Sequence, residues 1–274
     1  MNLFNAYDFV FSVRPGWSNE SKSIKQTRIN SQHVRDVLGD ISVSEIEPIH
    51  YIRIQQELKT KGLTNGTINR VTSTLSVVIG EMVKHKVLTS RVEFSQLPES
   101  RGRIVYYTEE EISDMLAASR LLQRDADVTY DILFVASRTG ARKGELVALQ
   151  WEDIDWNENS LTFYDTKNGE DRVLPLTDSL RSHLQTMEAQ RIDNRVFPIP
   201  EHRILSNLRK VQEMCAIKQE KNFHTFRHSV ATHLFAKGAS LPVVKEVMGH
   251  KNSAVTMRYA HATNAGKLEA MSLL

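Results

Sequence analysis

The sequence predicts a mainly α protein with a small β-hairpin or sheet insert, arranged in two parts. Apolar residues recur at three- and four-residue steps along most of the chain, which is the spacing of amphipathic helices. Two short β-like runs flank the turn NGED at residues 168–171, the pattern of a hairpin. Between the parts, residues 99–106 form a polar stretch that contains Gly102 and follows Pro98, which is typical of a linker.

The first part, residues 1–98, is predicted to be helical throughout. Its last segment carries the clearest apolar stripe, and Thr64 or Asn65 can cap that helix. The stripe consists of Ile68, Val71, Leu75, Val78, Ile79, Met82 and Val83. The predicted helical segments are NLFNAYDFVFSV, SKSIKQTRINSQHVRDVLG, SVSEIEPIHYIRIQQELKTK and TNGTINRVTSTLSVVIGEMVKHKVL.

The second part, residues 107–274, is predicted to be helical around the β insert. A helix begins near Thr108, because Thr108 and Glu111 form a capping box and acidic residues fill the first turn. The β-like runs are Leu161–Thr166 and Arg172–Leu176. The further helical segments are TYDILFVASRTG, which Gly140 stops, ARKGELVALQW, TDSLRSHLQTMEAQR and most of the chain after it.

Composition excludes several classes of protein. The chain has 274 residues, 41% of them hydrophobic, which suits one large globular domain or two smaller ones. No apolar run approaches the ~20 residues that span a bilayer, and the N-terminus lacks a basic segment before its apolar residues. Cys215 is the single cysteine and excludes an intrachain disulfide, so we expect a cytoplasmic protein without a membrane partner. The net charge of +2 permits nucleic-acid binding without requiring it.

Polar residues gather in four local clusters. Taken singly, each cluster is typical of ordinary structure: a solvated ion pair, a surface lysine, or an amphipathic tyrosine with its ring in the core. The clusters are Arg142 with Glu145, Lys167 beside the hairpin turn, His224 with Arg227 and His228 on one helix face, and His250 with Tyr259.

Taken together, the clusters point to phosphate chemistry. Two arginines, a lysine, two histidines and a tyrosine suit a dense negative charge such as a phosphodiester, because guanidinium groups bind two phosphate oxygens at once. A tyrosine hydroxyl can attack phosphorus in a strongly cationic site, and a mobile lysine can protonate the leaving oxygen. His224 and His228 have the spacing of helical zinc ligands, but Arg227 would repel a cation, so we expect no metal.

The second part resembles the tyrosine recombinases of the phage-integrase family. The match runs from YYTEEEISDML to MRYAH through TGARKGELVALQWEDID, TKNGEDRVLPL, HTFRHSVATHLFAKG and VKEVMGHKNSAVTMRYAH, in the order and rough spacing of the family. The first part resembles, more loosely, the family's helical core-binding domain, which is SAM-like. The resemblance implies a C-shaped clamp on DNA, with a core-binding domain at 1–98, a linker at 99–106 and a catalytic domain with a C-terminal tail at 107–274.

The same resemblance implies how the phosphate would be held. Arg142 and Arg227 would bind the scissile phosphate, and Glu145 would brace Arg142. His250 would donate a hydrogen bond to the phosphate.

It also implies how the strand would be cut. Tyr259 would be the nucleophile and would form a 3′-phosphotyrosyl link to DNA. His224 would act as acid and base near it, and Lys167 would protonate the departing 5′ oxygen. Because the link conserves the energy of the broken bond, the resemblance implies no nucleotide cofactor and no metal.

The implied partners are double-stranded DNA, further copies of the chain in a homodimer or homotetramer on DNA, and accessory DNA-bending proteins. The apolar tail Thr263–Leu274 is the candidate assembly element, and the implied location is the bacterial nucleoid or the cytoplasm of a phage-infected cell. Basic residues in the first part are candidates for contact with the DNA backbone. They are Lys22, Lys25, Arg28, Lys84, Lys86 and Arg91.

The expected function is a site-specific recombinase that integrates or excises phage or mobile-element DNA. Three alternatives stay open: an Xer-like dimer resolvase or DNA invertase, a non-catalytic DNA-binding regulator on the same scaffold, and a type IB topoisomerase. Many phage integrases carry an additional N-terminal arm-binding domain. A sequence that starts with the helical core-binding part fits either a simpler Xer- or integron-like recombinase or a fragment of a longer integrase.

Overall fold

The computed structural model describes residues 1–17, 22–99, 102, 104–164, 171–217 and 221–260. These residues are mainly helical, as the sequence predicts, and the predicted small β insert is a three-stranded antiparallel sheet. The chain forms two compact units, residues 1–102 and 103–274. Among the described residues, no helix combines the length and the apolar character that crossing a membrane requires.

The first unit consists of helices that bury their apolar faces in a common core. In α4 the N-cap is Thr64, whose hydroxyl accepts a hydrogen bond from the backbone N–H of Thr67. The predicted stripe of α4 is buried, apart from the half-buried Val83. The helices are α1 Leu3–Val13, α2 Lys22–Leu38, α3 Pro48–Thr60 and α4 Asn65–Lys84.

One helix start in this unit differs from the prediction. The sequence predicts a single helix from Ser42 onward, but this segment forms a short 3-10 turn at Val43–Glu45, and α3 begins only at Pro48. Glu47 has φ −120° and ψ 166°, which is extended. The cause is Pro48, because a proline ring disfavours the helical conformation of the residue before it.

The second unit packs its helices around a larger core and carries the sheet at one side. The capping box at Thr108 is confirmed, since Thr108 N–H donates to Glu111 Oε2 at 2.8 Å and Glu111 N–H donates to Thr108 Oγ1 at 3.1 Å. The helices are α5 Glu109–Ser119, α6 Ala126–Thr139, α7 Lys143–Ala148, α8 Asp178–Glu188, α9 Glu201–Met214, α10 His224–Ala236, α11 Leu241–Met248 and α12 Ser253–Ala260.

The sheet consists of β1 Ile154–Asp155, β2 Ser160–Phe163 and β3 Arg172–Pro175 in the order β1-β2-β3. Strand β1 was not predicted, because two residues are too few for a periodic pattern. Strand β2 is shorter than expected and ends at Phe163, which pairs with Arg172 of β3. The hairpin tip at residues 165–170 lies outside the described residues.

Gly140 ends α6 as predicted and sets the path of the chain into α7. Its φ is +59°, and a Cβ at this position would lie 2.5 Å from the side chain of Met248. Only glycine therefore permits both the left-handed turn and the close approach of α11. The turn brings the next residues, including Arg142, to the start of α7.

Candidate active site

The first part of the site lies at the N-terminus of α7. Arg142 is the N-cap residue, and its backbone N–H donates to Glu145 Oε2 at 2.9 Å. The guanidinium of Arg142 also donates to Glu145 Oε1. The carboxylate thus holds both the backbone and the side chain of Arg142, and the guanidinium remains about a fifth exposed (20%).

Arg227 lies deeper, in the first turns of α10, with 1% of its surface exposed. It donates to the carbonyl oxygen of Gly140 at 3.0 Å and to that of Met248. These carbonyls belong to the ends of α6 and α11, so one side chain ties three helices together and satisfies backbone groups that helix ends leave unpaired.

Arg172 is a third arginine of the cluster, and it is absent from the residues predicted from the sequence. It lies on β3, 4% exposed, and donates to Glu145 Oε2 at 2.8 Å and to the carbonyl oxygen of Val247 at 2.6 Å. Its guanidinium also stacks over the ring of Phe163 at 4.6 Å. The signal available in the sequence was register: Arg172 alternates with the apolar Leu174, so it had to face the core.

The three guanidinium groups lie close enough to perturb one another. Burial is the main cause that lowers the pKa of Arg227 to about 9, and the charges of Arg142 and Arg172 lower it further. Burial would raise the pKa of Glu145, but the charge of Arg172 and the charge and hydrogen bonds of Arg142 hold it below the usual value. The cluster therefore holds one ionised carboxylate among three cations.

Tyr259 lies on α12 and is 4% exposed, packed against α10 and α11. Its hydroxyl oxygen and Nδ1 of His228 form a hydrogen bond of 2.6 Å. Burial raises the pKa of the Tyr259 hydroxyl, and the charges of Arg227 and Arg258 partly offset that rise. The phenol thus lies within the field of the arginine cluster.

The two predicted histidines, His224 and His250, lie in different segments of the same unit as this tyrosine. His250 follows α11, and its Nδ1 forms a hydrogen bond of 2.9 Å with Thr256 Oγ1. The rings of His250 and Tyr259 are nearly parallel, 6.3 Å apart at an angle of 7°. His224 is the exposed first residue of α10, with its ring edge-on to that of His228 at 4.8 Å.

The residue before His250 is Gly249, and both its backbone conformation and its packing favour glycine. It ends α11 at φ +59°, and a Cβ there would lie 3.0 Å from the side chain of Arg172. The Gly-His pair therefore combines a left-handed helix end with close contact to the arginine cluster.

Two predicted features lie outside the described residues: Lys167 at the hairpin tip and the tail Thr263–Leu274. The remaining sequence candidates lie on the first unit. Lys25 and Arg28 are exposed one turn apart on α2, whereas the side chain of Lys22 is outside the described residues. Lys84, Lys86 and Arg91 are exposed at and after the end of α4.

Some of these basic residues have partners within the first unit. The Arg28 guanidinium lies over the ring of Phe11 at 4.6 Å, and Lys84 pairs with Glu81 at 3.5 Å. The charged groups of both remain exposed. In the parts of the chain that the structure describes, no group of three His, Cys, Asp or Glu side chains is placed to hold a metal ion.

Comparison with known proteins identifies the family. Residues 106–265 match the phage integrase family. A tyrosine recombinase of Pseudothermotoga lettingae is 29% identical over 248 residues, which cover 86% of this chain and 85% of that protein. Two solved structures share the fold: an integrase of the transposon Tn1549 in complex with a circular intermediate DNA (TM-score 0.81, 18% identity, 100% of both chains), and a lambda integrase dimer bound to a COC′ core site (TM-score 0.77, 17% identity, 95% of this chain and 77% of that chain).

The family match covers more than half of the chain and contains Arg142, Arg172, Arg227 and Tyr259. It thus spans the arginine cluster and the tyrosine that packs beside it. The chain belongs to the phage integrase family.

Proposed function

We propose that the protein is a site-specific DNA recombinase that cuts and rejoins strands through a 3′-phosphotyrosyl intermediate. The observation that carries this proposal is a cluster of three arginines and one carboxylate, with Arg172 and Arg227 buried, next to a buried tyrosine in the same unit. Such a cluster favours an anionic ligand, and the tyrosine supplies a nucleophile beside it.

The arginines would act on the scissile phosphate by position and charge. Arg142 is the most exposed of the three and would bind non-bridging oxygens directly. Arg227 is occupied with two backbone carbonyls, so its main contribution would be charge together with the placement of α6 and α11. Both effects stabilise the additional negative charge of the transition state.

The same arrangement supports the role of the nucleophile, and the family resemblance supplies the role of the acid. Tyr259 Oη would attack phosphorus and form the covalent link, while Lys167 would protonate the leaving 5′ oxygen. His250 would donate a hydrogen bond to the phosphate from the Nε2 side of its ring, because its Nδ1 is engaged with Thr256. The step conserves the phosphodiester energy, so a 5′ hydroxyl can reverse it without an added cofactor.

The substrate would be double-stranded DNA, contacted by both units. The exposed cations of α2 and of the segment after α4 would bind phosphates and set the salt dependence of binding. A dimer or tetramer on DNA would pair two cutting reactions, with the tail Thr263–Leu274 as the assembly element. The outcome would be integration or excision of phage or mobile-element DNA.

Covalent capture tests the proposal and identifies the DNA site in the same experiment. Full-length protein is incubated with sheared genomic DNA of its source, and DNA that stays attached in SDS is sequenced. We expect one recurrent sequence, attached through Tyr259, which peptide mapping would show. Tyr259→Phe should bind the same DNA and form no adduct, whereas Tyr130→Phe, which alters a tyrosine stacked on Phe134, should form it normally.

Two outcomes would overturn the proposal. One is wild-type protein that forms no SDS-resistant adduct with any fragment. The other is an adduct that persists at wild-type level in Tyr259→Phe.

A further inference from the structure

The hydroxyl of Tyr259 has a specific partner, and that partner is His228. The bond between Oη and Nδ1 is 2.6 Å long and joins α12 to α10. The two rings lie 5.6 Å apart at an angle of 39°, which is compatible with a hydrogen bond near the edge of the imidazole. Tyr259 is 4% exposed and His228 is half-buried, so few water molecules can compete for this hydroxyl.

The surroundings keep His228 neutral. Burial is the main cause that lowers its pKa to about 4, and neighbouring His224, Arg258 and Arg227 lower it further. These groups come from both packed helices, His224 and Arg227 from α10 and Arg258 from α12. A neutral imidazole with its proton on Nε2 presents the Nδ1 lone pair to a donor. The phenol of Tyr259 is such a donor.

His224, the residue that the family resemblance places near the nucleophile, occupies a different position. It is exposed at the start of α10, and its ring is edge-on to that of His228 at 4.8 Å. His228, one turn further into the helix, makes the hydrogen bond to Oη. His228 is therefore better placed than His224 to accept the proton of the Tyr259 hydroxyl.

We propose that His228 is a further catalytic residue, which holds Tyr259 Oη for attack and accepts its proton. This inference deepens the proposed function and rests on it. As Oη bonds to phosphorus, the O–H bond breaks and the proton passes to Nδ1 of His228. The P–O5′ bond breaks with its electron pair on O5′, which takes a proton from Lys167. On rejoining, both protons return.

Bound DNA would favour this transfer. A phosphate beside the arginine cluster offsets the positive field that acts on His228, and a nearby negative charge favours the protonated imidazole. The free protein thus keeps His228 neutral and accepting, and the complex makes it a stronger base. General base catalysis of this kind contributes about 10²–10⁴-fold.

The test separates the base from the acid by changing the leaving atom. Suicide duplexes carry the site found by covalent capture, with either oxygen or sulfur at the 5′ bridging position, because a thiolate leaves without needing a proton. We expect His228→Asn to slow single-turnover cleavage about 10²-fold on both duplexes. Lys167→Ala should be slow on the oxygen duplex and recover on the sulfur duplex.

The pH profile provides a second readout. Cleavage by the wild type should level off once His228 is neutral in the complex. His228→Asn retains an acceptor atom but no base, so its rate should keep rising about tenfold per pH unit toward the pKa of the phenol. His233→Asn, the same change at a second histidine of α10, is the matched control and should follow the wild-type profile.

Direct observation of the ring completes the test. Nitrogen NMR of the free protein should show His228 with its proton on Nε2, and Tyr259→Phe should shift the Nδ1 signal.

Three results would each overturn the proposal: a proton on Nδ1 of His228, cleavage by His228→Asn within about threefold of wild type, or recovery of His228→Asn on the sulfur duplex. If His228→Asn lowers the melting temperature of the protein, the same measurements are made with His228→Gln. Wild type without any adduct removes the proposed function and this inference with it, while the NMR result still reports the hydrogen bond.

Discussion

In each unit, among the described residues, a glutamate with a buried side chain pairs with cations, and the two sites differ in how exposed those cations are. Glu81 of α4, with 8% of its side chain exposed, pairs with Arg14 and Lys84, which are 37% and 71% exposed. Glu145 of α7 is 6% exposed and pairs with Arg142 and Arg172, which are 20% and 3% exposed.

The difference distinguishes a structural ion pair from the proposed phosphate-binding site. In the first unit, water solvates the cations, so excess positive charge costs little. In the second unit, Arg227 adds a third guanidinium that is 1% exposed, and burial together with the neighbouring charges lowers its pKa. An anion that enters such a cluster would offset this excess positive charge.

The largest difference between the two sites is expected in the cleavage rate after conservative arginine substitutions. Arg227→Lys keeps the charge but loses the two-pronged contact with the carbonyls of Gly140 and Met248. We expect single-turnover cleavage to fall about 10³-fold, or about 4 kcal/mol of barrier. Arg14→Lys, the matched change in the first unit, should leave cleavage within about twofold. Equal effects of the two substitutions would contradict the distinction between the sites.

Local signals explain how much of this molecule its sequence could predict. The cap at Thr64, the box at Thr108 and Glu111, and the stop at Gly140 each depend on residues within one helical turn. These elements were predicted correctly. The start of α3 was predicted too early, because the periodic pattern does not include the effect of Pro48 on the residue before it.

Two residues to which the sequence analysis assigned no role, Arg172 and His228, depend on distant contacts. Arg172 meets Glu145 across 27 positions, and His228 meets Tyr259 across 31. The alternation along β3 indicates that Arg172 faces the core, but neither pairing leaves a trace of its partner in the sequence, and a lone arginine in a strand or a second histidine in a helix has many ordinary explanations. The resemblance to a family supplied the roles of Arg142, Arg227 and Tyr259, but a resemblance carries only the positions that its motifs contain.

Removing the carboxylate should have the next largest effect. Glu145→Gln leaves the arginines without their counter-charge and should destabilise the second unit by about 3 kcal/mol. Glu81→Gln, whose partners reach water, should cost about 1 kcal/mol. Hydrogen exchange of α7 and α4 amides, measured along a urea series, reports each unit in the full chain. A cost at Glu81 equal to that at Glu145 would show that exposure of the partners does not matter.

A small anion should partly mimic the DNA phosphate at the arginine cluster. Sulfate that binds at the arginine cluster should stabilise the second unit by about 1.4 kcal/mol at ten times its dissociation constant. The measurement is protection of α7 and α10 amides in sodium sulfate against sodium chloride of equal ionic strength. Arg227→Met should remove the gain, and α4 should show none in either protein. A sulfate effect of equal size in both units would indicate a general salt effect.

The smallest expected effect is a pH dependence confined to the second unit. Burial lowers the pKa of both His228 and His250 to about 4, with the nearby arginine charges as a secondary cause. In the unfolded chain the histidine pKa is near 6.5, so between pH 4 and pH 6.5 the unfolded chain binds more protons than the folded chain. The contribution of these histidines to stability is therefore full above pH 6.5 and declines toward pH 4. The slope is at most about 1.4 kcal/mol per pH unit for each histidine, and partial exposure makes it smaller. Protection of α12 relative to α4 should therefore fall between pH 7 and pH 5, less so in His250→Asn, and a constant ratio would show that these rings do not couple the site to pH.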